Sequence, residues 1–66
     1  MESIRVARQP EGWPKWIATY GPSHEVGESP AIAVRKLRKS YRRIFGKAIP
    51  ATTRIEKVSH NEVWKG

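Results

Sequence analysis

One segment decides most of what this chain can become. Ser29 stands directly before Pro30, and Gly46 directly after Phe45. A serine hydroxyl can accept from the free N–H groups of a first helical turn, and proline suits the first helical position, where its missing N–H would have no partner anyway. Glycine most readily takes the left-handed conformation that ends a helix. Between these markers Ala33, Val34, Leu37, Tyr41, Ile44 and Phe45 recur at helical spacing and share one face. The spacing predicts a helix over about 30–45 with that face buried. Glu28, just ahead, sits where negative charge suits the helix dipole.

The surface that buries this face must come from a small remainder. The chain has 66 residues, room for a single domain over 1–66. A domain of this size buries only about 60% of the surface its unfolded chain exposes, so the core is thin. There is no cysteine. Disulfides, thiol catalysis and cysteine-based zinc sites are therefore excluded.

At about 3–9, Ile4 and Val6 alternate with Arg5 and Ala7, the pattern of a half-buried strand. Pro10, Gly12 and Pro14 are turn signals. Residues 15–20, Lys-Trp-Ile-Ala-Thr-Tyr, are rich in β-branched and aromatic types. The two runs read as a β-hairpin with a long loop. Gly21-Pro22-Ser23 makes a second turn, and 24–27 a short third strand. Pro50 blocks continuation of the helix, and 52–58 reads as a last strand around Ile55. Val63 and Trp64 suggest that the tail docks rather than dangles. The expected fold is α+β: a small antiparallel β-sheet with one amphipathic helix packed on it, in the order β-β-(β)-α-β.

Charge points to a partner. Thirteen Lys and Arg face six Glu and no Asp, a net charge of +7. Such a field draws polyanions and speeds their encounter. Arg35, Lys36, Arg38, Lys39, Arg42 and Arg43 occupy the arc of the helix left over by its apolar face, and no acid lies between Glu28 and Glu56. Like charges at i,i+4 cost a few tenths of a kcal/mol each. Phosphate would relieve that repulsion and release counterions. The competing reading is a solvated face that keeps the protein soluble.

These observations give the expected function: nucleic-acid binding without chemistry, DNA ahead of RNA, with the six helix cations on phosphates. Arg5, Arg8 and Lys15 add charge on the hairpin; if Arg5 and Lys15 project from one sheet face, they could track a phosphate backbone or enter a groove. Trp13, in the first loop, is the candidate for exposed base stacking, and Trp16 for the core against Leu37 and Tyr41. Trp64 reads as a packing anchor for the tail or part of a partner surface. Arg35-Lys36-Leu37-Arg38-Lys39 looks like a nuclear-import signal, but Leu37 belongs in the core.

No catalytic residue, metal site or cofactor is expected. His24 and His60 are far apart in sequence, there is no Asp, and no glycine-rich phosphate loop or metal-ligand cluster occurs. No stretch approaches the ~20 apolar residues of a membrane span. Met1-Glu2-Ser3-Ile4-Arg5 opens no apolar signal segment, so a cytoplasmic protein is expected. The alternative class is a protein-binding inhibitor acting on a larger or acidic protein, as small phage and mobile-element proteins often do. A homodimer that adds core would also suit this size.

Two family resemblances stand beside this reading. Trp16 through Tyr20, followed by Val26-Gly27-Glu28-Ser29-Pro30-Ala31-Ile32-Ala33-Val34-Arg35-Lys36-Leu37, resembles the HicB-like antitoxin domain, as does Ala48-Ile49-Pro50 before the Ile55 strand. That resemblance spans about 4–58 and implies a β-β-β-α-β fold that sequesters a toxin or another protein. The Pro-Asp-Leu-Pro-Gly segment of that family is absent here, and its helix is usually acidic. Arg8-Gln9-Pro10-Glu11-Gly12-Trp13-Pro14-Lys15-Trp16-Ile17-Ala18 is similar to the first hairpin of AP2-like domains, related to the arm-binding domains of phage integrases. That likeness implies a three-stranded sheet in the DNA major groove, with Arg5, Arg8, Lys15 and Trp16 near the bases.

Overall fold

The computed structural model describes residues 3–10 and 15–63. Trp13 and Trp64, the two tryptophans expected at contacts, lie outside the described residues. The chain forms β1 (Ile4–Arg8), β2 (Trp16–Tyr20), β3 (Ser23–Gly27), α1 (Pro30–Phe45) and β4 (Ile55–Lys57). The expected order and the expected helix are both present. The last strand is shorter than expected.

Local chemistry explains the boundaries of α1. Ser29 is extended, at φ −145° and ψ 163°, and its hydroxyl accepts from the Ile32 N–H at 3.2 Å. Gly46 is left-handed at φ 72°, and its N–H returns to the Arg42 carbonyl at 2.9 Å. Gly21 has φ 56° and precedes Pro22, whose ring holds φ negative. That sign pattern belongs to a II′ hairpin turn, which joins β2 to β3 with two residues.

The sheet order is β3-β2-β1-β4. β1–β2 and β2–β3 are antiparallel, but β4 runs parallel to β1, with Ile4 opposite Ile55 and Arg5 opposite Glu56. The sheet is therefore mixed rather than antiparallel throughout. The cause is the crossover: α1 carries the chain back over the sheet, so β4 starts where β3 started and shares its direction. β3 already runs parallel to β1.

Both faces of the sheet are covered. On one, Ile4, Val6 and Ala18 meet Ala33, Val34 and Leu37 of α1 and Ile49 beyond it, with Trp16, Tyr20 and Tyr41 packed around them. On the other, Ala7 and Ile17 meet Val63, flanked by Val26 and Val58. Val58 extends the ladder by donating to the Val6 carbonyl at 2.9 Å, and the Thr19 hydroxyl donates to the Val63 carbonyl at 2.9 Å. So the tail docks, as its apolar residues suggested. β1 and β2 are consequently buried on both sides rather than half-buried, since they are the two central strands.

One core expectation fails. Ile44 and Phe45 were expected on the buried face, yet they are 66% and 45% exposed. A sixteen-residue helix is about 24 Å long, whereas a five-residue strand spans about 17 Å. The last turn of α1 reaches the edge of the sheet, where only Pro22 and the first residues of β3 stand beside its apolar side chains, and these stay largely in water.

Candidate nucleic-acid interface

The close seating of α1 on β3 fixes the site. Gly27, at the end of β3, is buried, and a Cβ built there would lie 2.7 Å from the Ala33 nitrogen and 2.8 Å from Ile32 Cγ2. Only a glycine lets the strand touch the first helical turn so closely. From that contact the helix runs back along β3 until Tyr41 meets Tyr20.

Along this flank Lys36, Lys39, Arg42 and Arg43 line one cleft of about 590 Å3 with Ser40 and Glu25. The four cations are exposed, and none pairs with a carboxylate among the described residues. Lys36, Lys39 and Arg43 stand at i, i+3 and i+7, one stripe of the helix surface. Arg42 and Arg43 also fall in the last turn, where the dipole favours positive charge. The i,i+4 pair Lys39 and Arg43 places like charges side by side within this trough.

The other two helix cations face elsewhere. Arg35 and Arg38 border a second groove of about 390 Å3, formed with Pro30, Ala31, Val34 and Ile55. Its lining is largely apolar, because α1 lies over β3 and β2 and does not reach β4, which leaves Ile55 50% exposed. Arg38 is half-buried, and its Nη1 donates to the Ile49 carbonyl at 3.2 Å and, more weakly, to that of Pro50 at 3.5 Å. It therefore fastens the segment after the helix, a structural task that a run of cations in sequence does not reveal.

The hairpin cations do not join the trough. Arg5 lies on the tail-covered face, in line with Ala7 and opposite Thr19 and Glu56. Lys15 pairs with Gln9 through a 2.8 Å backbone bond and so shares that face, as the sequence reading supposed. Arg8 lies opposite Trp16, next to Gly27, at the end of the sheet where α1 begins. Arg42 and Arg43 are at the opposite end. Trp16 belongs to the core, half-buried against the helix-side cluster. With helix on one face and residues 58–63 on the other, the described structure offers no open sheet face to lie in a groove.

Ser40, Glu25 and the exposed pair Ile44 and Phe45 belong to this region, and the sequence reading missed all four as site residues. The signal for the last two was the mismatch between helix and strand lengths. Ser40 and Glu25 are brought in by the crossover geometry alone. Among the described residues no group of three or more His, Asp or Glu is placed to hold a metal ion, and no helix is long and apolar enough to cross a membrane. No family model, curated protein or solved structure matches this chain.

Proposed function

We propose that this protein binds nucleic acid through the cationic flank of α1, without catalysing a reaction on it. A single observation carries the reading: Lys36, Lys39, Arg42 and Arg43 converge on one cleft with no carboxylate paired to any of them among the described residues. Unpaired cations held together by a rigid helix lose repulsion when phosphates arrive, and the displaced counterions add entropy. Exposed residues give the backbone direct access. The binding energy is electrostatic and largely independent of sequence.

The experiment is a fluorescence-anisotropy titration against labelled duplex DNA, single-stranded DNA and hairpin RNA at several salt concentrations. The expected result is a log–log salt slope of about −3 to −5 for the preferred ligand, the mark of ~4–6 phosphates contacted. No measurable binding to any of the three ligands, or binding that does not weaken as salt rises, removes the proposal.

A second reading rests on a different observation. The apolar groove between α1 and β4, rimmed by Arg35 and Arg38, suits an acidic protein partner with an apolar anchor. That agrees with the protein-binding role that the HicB-like resemblance implies. Retention of such a partner by a protein that fails the nucleic-acid titration favours it.

A further inference from the structure

The cationic trough continues into a second cleft. Pro22 of the β2–β3 turn and Ser23 and His24 at the start of β3 line, with Ser40, Ile44 and Phe45 of the helix end, a cleft of about 360 Å3. That volume lies in the ~300–1,000 Å3 range of small-ligand pockets. Glu25 and Ser40 line both clefts, so the two are contiguous.

The second cleft differs from the first in chemistry. Its walls carry the two large apolar side chains that α1 leaves in water. Phe45 is not loose. Its ring lies 4.6 Å from that of Tyr41 with the planes tilted by 36°, and Tyr41 in turn meets Tyr20 edge-on at 5.2 Å and 80°. A ladder of three rings, rooted in β2, orients the last one, which still exposes nearly half its surface. A ring held this way gives up little entropy when something stacks on it. Beside it, Arg42 and Arg43 supply charge for a phosphate, and Ser23 and Ser40 supply hydroxyls for a polar edge.

We propose that the cleft between the β2–β3 turn and the end of α1 takes an unpaired nucleobase against Phe45, so that the protein prefers single-stranded nucleic acid to duplex. This rests on the nucleic-acid reading above. Phosphates run along Lys36, Lys39 and Arg43 to the junction. There the Glu25 carboxylate repels a further phosphate, and the strand turns its base inward. A duplex cannot follow, because its base faces are already stacked on one another and only its phosphates reach the trough. Every base has a π-face, so the preference is for strandedness rather than for one sequence.

The test uses the full chain, one labelled single strand and the blunt duplex of the same sequence, at one salt concentration. Wild-type protein is expected to bind the single strand more tightly. Phe45→Ala is expected to weaken that binding about tenfold, as loss of one stacked base does, and to change duplex binding by less than about twofold. Phe45→Trp keeps an aromatic face and is expected to restore the preference, which separates stacking from any loss of fold. If Phe45→Ala weakens neither ligand, or both equally, while Lys39→Gln and Arg43→Gln weaken both, the base cleft is wrong and the phosphate trough stands. If wild-type protein binds neither ligand, both readings fall. If sedimentation shows a dimer that Phe45→Ala dissociates, the cleft is an interface between copies, and the proposal is overturned.

Discussion

The two flanks of α1 start from the same run of basic residues and become different surfaces. On the β3 side, Gly27 lets strand and helix touch, and the cations stand over a polar margin that ends at Phe45. On the β4 side the helix stops short of the edge strand, so Arg35 and Arg38 border an apolar groove, and Arg38 is drawn into bonding the backbone of Ile49. Charge in sequence therefore does not fix role. The strand beside each cation decides whether it lines the cleft on β3, borders the apolar groove or bonds the chain itself.

The largest effect should come from emptying one flank and sparing the other. Changing Lys36, Lys39, Arg42 and Arg43 together to Gln removes up to four phosphate contacts. Near 0.1 M salt the affinity for nucleic acid should fall by about 10²–10³-fold, and the salt slope should flatten by about 3. Arg35 lies off the trough, and Arg35→Gln should cost less than about twofold. Anisotropy titrations of both variants over a salt series give the comparison. A loss of about 3–6-fold in Arg35→Gln, the per-cation share of the quadruple change, would mean that the helix acts as one undivided face.

The helix and its neighbours were legible because their signals are local. Ser29, Pro30 and Gly46 mark ends that depend on a few adjacent groups, and the alternation around Ile4 and the aromatic-rich run from Trp16 to Tyr20 mark strands in the same way. What sequence did not reveal depends on distance in space. The parallel pairing of β4 follows from the crossover. The burial of Ala7 and Ile17 follows from a tail that returns to the second face. The exposure of Ile44 and Phe45 follows from comparing one element's length with another's. The site was half legible for the same reason. Lys36, Lys39, Arg42 and Arg43 were named from charge, but so were Arg5, Arg8, Lys15, Arg35 and Arg38, which the fold carries to other faces, ends or tasks.

The contact that separates the flanks can be broken directly. In Gly27→Ala the new methyl would sit 2.7 Å from the Ala33 backbone nitrogen. Backbone cannot rotate away as a side chain can, so the first turn of α1 must shift from β3. Overpacking of this kind costs about 1–3 kcal/mol, and at this chain length each kcal/mol lowers the melting temperature by about 4–8 °C. A thermal melt followed by circular dichroism measures it. An unchanged midpoint would show that α1 can lift from β3 freely, and the trough would then be wider and less fixed than the structure makes it.

The smallest effect tests whether Arg38 belongs with the structure or with the site. Its Nη1 bond to the Ile49 carbonyl holds the segment that places Ile49, only 3% exposed, under the helix. Arg38→Gln shortens the side chain and leaves that carbonyl to find water, a loss of about 0.5–1.5 kcal/mol of stability. Because this cation is tied to the Ile49 and Pro50 carbonyls and does not line the trough, nucleic-acid affinity should change by less than about threefold. Arg42→Gln should behave the opposite way, with weaker binding and a melt lowered only by the lost charge at the helix end, about 0.3–1 kcal/mol at most, since Arg42 is exposed and bonds to no described side chain. Measuring both quantities on both variants places each arginine on one flank. A lower salt slope in Arg38→Gln, matching that of Arg42→Gln, would extend the phosphate path across the crest of the helix and merge the two surfaces into one.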